Sequence, residues 1–158
     1  MGRRRLLIIG HIAITILHAA VGVFDIAKMN YGVIVCVLLF LVAYEFTSGV
    51  VAWVYAAETT IDTGLGLCLL CLWGTVFWLS IVCPILMDPD SLGPTPVFFI
   101  FSGLSVGGCL YCFLFIKETM GLSDKEKKIL YTPDEFLTAE ETALRRKGQV
   151  DQFETTYE

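Results

Sequence analysis

Two closely spaced cysteine pairs are the residues whose types and spacing most suggest chemistry. Cys68-x-x-Cys71 and Cys109-x-x-Cys112 have the spacing of zinc ligands in soluble loops. Both pairs lie inside long apolar runs, where a spacing of three only places two side chains on one helix face. Hydrocarbon disfavours metal entry and thiolate formation, so we expect packing cysteines, no metal site and no required disulfide. A thiol oxidoreductase is the enzymatic alternative, but it needs cysteines in the outer connectors, which have none.

The two histidines of the chain are the next candidates, because imidazoles are ligands of haem iron. His11 and His18 are seven residues apart, hence on one helix face and roughly 10 Å apart along it. One iron cannot take both, and two bis-histidine haems would need four histidines. A haem shared with another subunit is the alternative. We expect polar packing or water contact, and no cofactor other than structural lipids.

Glu45 is the carboxylate that lies deep inside an apolar run. An ionisable residue at membrane depth suggests a function, here binding a proton or a partner's Lys or Arg. The alternative is a protonated or hydrogen-bonded group with no present function. The sequence contains no phosphate-binding loop, catalytic triad or nucleic-acid patch, and we predict that the chain is not an enzyme.

These residues lie in a chain whose composition indicates a membrane protein. Of 158 residues, 56% are hydrophobic and 17% charged, with a mean hydropathy of +0.71. Soluble domains are about 45–50% apolar and about 25% charged, so a disordered chain, a nucleic-acid binder and most soluble enzymes are excluded. Because lipid-embedded backbone must bond internally, the apolar runs predict an all-α protein. The four predicted spans are residues 6–24, 31–55, 65–87 and 97–116.

The basic residues predict the orientation of these spans. Of the 11 Lys and Arg residues, three precede the first span, seven follow the last and one, Lys28, lies between. The positive-inside rule therefore places both termini in the cytoplasm, or in the matrix of an organelle. The sequence divides into a transmembrane bundle at residues 1–116 and a charged, amphipathic helical tail at 117–158 on the inner side.

Three capping-box patterns predict short helices in this tail. Ser123, Thr132 and Thr138 are each followed three residues later by Glu. The predicted helices are residues 124–130, 133–137 and 139–147. A charged terminus is seldom ordered unless something holds it, so we expect a partner to bind the tail. A solvated, partly frayed tail is the alternative.

Four segments carry a family resemblance. Residues 2–8 read Gly-Arg-Arg-Arg-Leu-Leu-Ile, residues 45–58 read Glu-Phe-Thr-Ser-Gly-Val-Val-Ala-Trp-Val-Tyr-Ala-Ala-Glu, Trp73 lies in the third span, and residues 115–123 read Phe-Ile-Lys-Glu-Thr-Met-Gly-Leu-Ser. In order and spacing they resemble motifs of the sugar-porter branch of the major facilitator superfamily. The resemblance covers about residues 1–126 and implies a fold like helices 9–12 of that family.

The resemblance implies what would remain of a transport path. The residues at the positions of that path would be Glu45, Gly49, Trp53 and Trp73. Eight of the family's twelve helices have no counterpart in this sequence. Transport by this chain alone is not expected, since four helices cannot enclose the path. The three prolines that break the family's tenth helix are replaced by Ser48, Val50 and Ala52. This predicts continuous backbone hydrogen bonding and a stiffer helix.

The resemblance also implies an inner-face charge cluster that holds the helix ends together. Pairing of Arg with Glu58 is physically reasonable at a desolvated membrane edge. The alternative is ordinary charged flanks that anchor the spans at the headgroups. Gly103-x-x-x-Gly107 predicts close helix packing. The predicted inner-face charge cluster consists of Arg3, Arg4, Glu58, Lys117 and Glu118.

The predicted function is a non-transporting structural or accessory subunit derived from a sugar-porter-like transporter. Its partners would be other membrane subunits and the lipid bilayer, with no nucleic acid. An organellar inner-membrane complex, such as a respiratory complex of the mitochondrial inner membrane, is the expected host. The alternative is part of a split sugar or solute transporter that another polypeptide completes.

Overall fold

Four helices in the computed structural model, which describes residues 2–157, are long and apolar enough to cross a membrane. This confirms the all-α membrane fold. Each span begins one to three residues before its predicted start, because the polar flanks add a terminal turn, and the second ends four residues later than predicted. The four spans are formed by α1 (Arg3–Ile26), by α2 (Asn30–Tyr44) together with α3 (Val50–Thr59), by α4 (Asp62–Met87) and by α5 (Pro94–Phe115).

The second span contains a π-helical segment between α2 and α3. Residues Glu45–Gly49 join the two helices into one continuous span, Asn30–Thr59. The span is continuous, in agreement with the predicted continuous backbone hydrogen bonding, but the π-helical turn was not predicted. Thr47 is buried beside α1, and its hydroxyl donates to the Ala43 carbonyl at 2.5 Å. The wider turn lies where Thr47 packs against Gly10 of α1, at which a Cβ atom would lie 2.2 Å from the Thr47 hydroxyl oxygen.

The core of the bundle is the packing of α1 against α5 and against the second span. Val21 of α1 and Val97 of α5 are 1% and 2% exposed. The Ser102 hydroxyl donates to the Thr15 carbonyl at 3.0 Å, which satisfies a polar group inside this interface. Helix α4 is peripheral: none of its residues is buried, and it touches α3 and α5 only at its edges.

The tail contains two helices, α6 (Asp124–Ile129) and α7 (Ala139–Tyr157), separated by a 3₁₀ turn at Asp134–Phe136. Capping boxes form at Ser123 and at Thr138. Helix α7 is longer than the predicted residues 139–147, because the helix continues through Gly148 and does not end there. A Cβ atom at Gly148 would lie 2.7 Å from side-chain atoms of Leu122 and Glu126, so this glycine lets α7 cross the start of α6 closely.

Candidate functional site

Glu58, at the inner end of α3, is the centre of a network that joins three parts of the chain. The Arg3 guanidinium donates to Glu58 Oε1 at 2.5 Å, and Lys127 Nζ of α6 lies 3.3 Å from the same oxygen. The Thr119 hydroxyl, which is fully buried, donates to Oε2 at 3.5 Å. The side chains of Glu58 and Lys127 are only 19% and 12% exposed, so the charges interact with little screening by water.

Glu118 holds the start of α1. Its Oε1 accepts the backbone N–H of Arg3 at 2.9 Å, and also those of Thr119 and Met120 at 3.0 and 3.1 Å. The first N–H groups of a helix have no partner within the helix and attract an anion. Glu118 therefore ties the chain after α5 to the beginning of α1.

Arg4 and Lys117, the other two members of the predicted cluster, are directed at helix carbonyls. Arg4 donates to the Phe113 carbonyl at 2.7 Å and lies over that residue's ring. Lys117 Nζ donates to the Leu130 carbonyl at 3.0 Å. Cations are favourable at helix C-termini, where the last carbonyls lack partners. The five predicted residues thus lie on one face, with Arg3, Glu58 and Glu118 directly linked.

Tyr131 completes this network, although no sequence motif indicated a role for it. Its hydroxyl donates to the Phe115 carbonyl at 3.0 Å, accepts the Lys117 N–H at 3.0 Å and contacts the hydroxyl of Tyr55. Tyr55 is 7% exposed and also donates to the Lys117 carbonyl at 2.9 Å. The first half of the tail is therefore docked on the chain's own residues.

Replacing Tyr131 by Phe is expected to loosen the tail, because the Phe115 carbonyl, the Lys117 N–H and the Tyr55 hydroxyl lose a shared partner. The expected cost is about 1–2 kcal/mol in docking. Limited trypsin digestion of the full chain in detergent, followed as cleavage after Lys125 and Lys128, measures the effect. Tyr31→Phe is the control, since Tyr31 is 88% exposed. Equal cleavage rates for the two variants would contradict the docking role.

The capping box of α6 makes the docked tail sensitive to acid. Hydrogen bonds from the hydroxyl and N–H of Ser123 hold the pKa of Glu126 below its usual range. Because these bonds lower the pKa of Glu126 in the folded state, they stabilise the folded tail at pH values above the ordinary pKa of a glutamate. This stabilisation is lost as the pH falls through the lowered pKa of Glu126. We expect cleavage next to Lys125, by a protease that stays active in acid, to accelerate as the pH falls from about 5 to about 3. Glu126→Gln should flatten this dependence, whereas Glu135→Gln should leave it unchanged.

The predicted path positions lie on surfaces that the described part of the chain leaves open. Glu45, in the π-helical segment, is exposed although it lies in the middle of the second span. Trp53 is 37% and Trp73 64% exposed. Gly49 is half-buried, and a Cβ atom there would lie 3.1 Å from the Tyr44 carbonyl oxygen.

The histidines line an open cavity of about 290 Å³ between α1, α2 and α5. His11 Nδ1 lies 2.9 Å from the Leu7 carbonyl and 3.5 Å from the Ser48 hydroxyl. His18 packs against Phe40, with ring centroids 4.6 Å apart and ring planes tilted by 39°. Among the side chains that the structure describes (residues 2–148 and 150), no three metal-ligating groups come together.

The close approaches of the helices occur at glycines other than the predicted pair. A Cβ atom at Gly103 or Gly107 would meet nothing within 4 Å among the described residues. At Gly10 it would lie 2.2 Å from Thr47 Oγ1, and at Gly108 it would lie 2.7 Å from the ring of His11. A packing role for Gly103 and Gly107 would therefore have to involve another chain.

Comparison with known proteins gives one family. The family model described as sugar (and other) transporter matches residues 1–131. The major myo-inositol transporter of Bacillus subtilis is 30% identical over 132 residues, covering 78% of this chain and 28% of that protein. Membrane transporter D1 of Leishmania donovani is 32% identical over 134 residues, covering 77% of this chain and 24% of that protein. The high glucose sensor of Saccharomyces cerevisiae is 27% identical over 139 residues, with coverages of 80% and 18%.

The matched part thus spans about a quarter of the length of these relatives. No solved structure matches the chain significantly.

Proposed function

Since the chain belongs to the sugar transporter family, we propose that it is a non-transporting structural subunit of a larger membrane assembly. The chain would hold the inner ends of its helices rigid through Glu58 and present its open surfaces to other membrane subunits. Its cofactors would be limited to structural lipids, and it would carry no catalytic residue. The distal part of the tail, α7, would bind one of the partner subunits.

The exposure of Glu45 is the observation that carries this proposal. A carboxylate facing hydrocarbon near the middle of a bilayer costs about 2.5–3.5 kcal/mol or more. Protein helices that donate a hydrogen bond or a cation remove that cost, whereas lipid tails cannot. Trp53 and Trp73 offer further exposed aromatic surface on α3 and α4. These features support a neighbour that is protein rather than lipid on this side of the chain.

A photo-crosslinking amino acid in place of Glu45 tests the proposal in the native membrane. We expect it to capture another membrane polypeptide, which mass spectrometry of the purified adduct identifies. The same amino acid in place of Ile16, which is 61% exposed on α1, is the matched control for contact with lipid. Capture of lipid alone at position 45 would overturn the proposal.

A split transporter is the second candidate, and the π-helical segment favours it. Glu45–Gly49 lies in the helix that resembles the family's gating helix, and a π turn is a local irregularity of the kind found at functional sites. In that case the polypeptide captured at position 45 would carry sugar-transporter-like helices, and the pair would move a sugar or polyol. Uptake of myo-inositol by liposomes that hold only this chain would overturn both candidates.

The host membrane is a further part of the proposal. The basic N-terminus and the tail lie on the same face as Glu58, which supports placing this face in the cytoplasm or the matrix. We propose the mitochondrial inner membrane as the host. Protease protection of an epitope on the tail, in mitoplasts without an outer membrane and in inverted inner-membrane vesicles, tests both statements. Digestion of the epitope in sealed mitoplasts would overturn the matrix orientation.

A further inference from the structure

We propose that Cys68 and Cys71 of α4 are sites of S-acylation by a long-chain fatty acid. The inference is independent of the proposed function, because it depends only on how α4 lies in the bilayer. It also gives a role to a cysteine pair whose zinc-like spacing has no metal explanation.

The two thiols are distinguished from the other cysteines by their exposure. Cys68 and Cys71 are exposed, Cys36 and Cys112 are buried, and the remaining two are half-buried. A spacing of three residues places Cys68 and Cys71 about 60° apart around the helix, on one side of α4. Because α4 has no buried residue, no neighbouring helix of the described chain shields them.

The depth of the pair fits an acyl transfer at the inner membrane surface. Helix α4 begins at Asp62, three residues beyond the end of α3, on the same face as the Arg3–Glu58 pair. Cys68 lies six residues into α4, or about 9 Å along its axis, and Cys71 about 13 Å. Cysteines close to the end of a membrane helix are usual sites of reversible acylation, and the basic flanks favour the cytoplasm or the matrix for this end of α4.

A partner subunit on the tryptophan side would leave these cysteines free. Trp73 follows Cys68 by five residues and is therefore about 140° away around the helix. From Cys71 it is about 160° away in the other direction. The surface proposed to meet a protein neighbour and the surface proposed to carry acyl chains are thus on opposite sides of α4, and an attached chain would extend among the lipids.

The reaction is a thioester exchange without a redox step. The cysteine Sγ loses its proton and attacks the carbonyl carbon of a long-chain acyl-coenzyme A, and a new carbon–sulfur bond forms. The bond between that carbon and the coenzyme A sulfur breaks, and coenzyme A leaves with the proton as a free thiol. A membrane-bound acyltransferase would supply the base, since the cysteines lie among apolar side chains such as Leu67 and Leu70.

Thioester-specific mass tagging of the full chain, expressed in its own membrane, tests the proposal. Free thiols are blocked, hydroxylamine cleaves thioesters, and a maleimide polymer labels the thiols that are released. We expect two tags on the wild-type chain, one on either Cys68→Ser or Cys71→Ser, and none on the double variant. Incorporation of an alkyne-bearing palmitate analogue should disappear in the double variant as well.

Cys109→Ser is the matched control, because Cys109 lies six residues from the inner end of α5, at the same depth as Cys68, but is half-buried. This variant should keep both tags. Absence of tags on the wild-type chain, or their persistence in the Cys68/Cys71 double variant, would overturn the proposal. Capture of a partner at position 45 is unaffected by either result, so the two proposals fail separately.

Discussion

Replacing Glu58 by Ala is expected to lower the free energy of unfolding by about 2–3 kcal/mol, because two partly buried cations lose one shared counter-ion. The side chains of Arg3 and Lys127 are 32% and 12% exposed, and Lys127 has little access to compensating water. The buried hydroxyl of Thr119 also loses its acceptor. Denaturation of the full chain from mild detergent into sodium dodecyl sulfate, followed by circular dichroism, measures the change.

Asp124→Asn is the control for this result. Asp124 lies 3.3 Å from the same Lys127 ammonium but its side chain is 94% exposed, so its removal should cost less than about 0.5 kcal/mol. Raising the salt concentration should reduce the loss of unfolding free energy caused by Asp124→Asn, because the exposed charge is screened. The loss caused by Glu58→Ala should change little. If the two substitutions cost the same, Glu58 would be an ordinary charged flank, which is the alternative that the sequence left open.

The spans and the family could be predicted from the sequence because both depend on local information. Long apolar runs and their basic flanks need no knowledge of which helices meet. The same holds for the capping boxes at Ser123 and Thr138, where the two partners are three residues apart.

The network around Glu58 could be predicted only in part, because its remaining members come from distant segments. Nothing local distinguishes Lys127 from Lys125 or Lys128, and only the path of the tail brings Lys127 to Glu58. The hydroxyl of Tyr131 likewise meets Tyr55, a residue 76 positions away. Such pairs follow from tertiary packing and carry no sequence signature.

The π-helical segment was missed for a different reason. Replacement of prolines restores backbone donors, and helix continuity follows from that. The register of the turn, however, depends on the fit of Thr47 against Gly10 of α1, which are 37 residues apart. The glycine motif has the same limit, because its spacing identifies a stripe of small residues without identifying the helix that this stripe faces.

Gly10→Ala is therefore expected to be among the most damaging single-methyl substitutions in the bundle. The added Cβ would lie 2.2 Å from Oγ1 and 2.4 Å from Cβ of Thr47. Because both Cβ atoms are bonded directly to the backbone, no side-chain rotation can relieve this clash. Helix α1 and the π-helical segment must separate, which should cost about 3 kcal/mol in stability. The denaturation measurement described for Glu58 applies here as well.

Gly103→Ala provides the opposite expectation, because a Cβ there meets no described atom within 4 Å. In the isolated chain it should be neutral or stabilise α5 by up to about 1 kcal/mol through helix propensity. Thr47→Ala combined with Gly10→Ala should recover only part of the loss, since Cβ of residue 47 still blocks the new methyl group. Full recovery would locate the clash in the hydroxyl alone, and an undiminished stability of Gly10→Ala would contradict the close crossing of α1 and the second span.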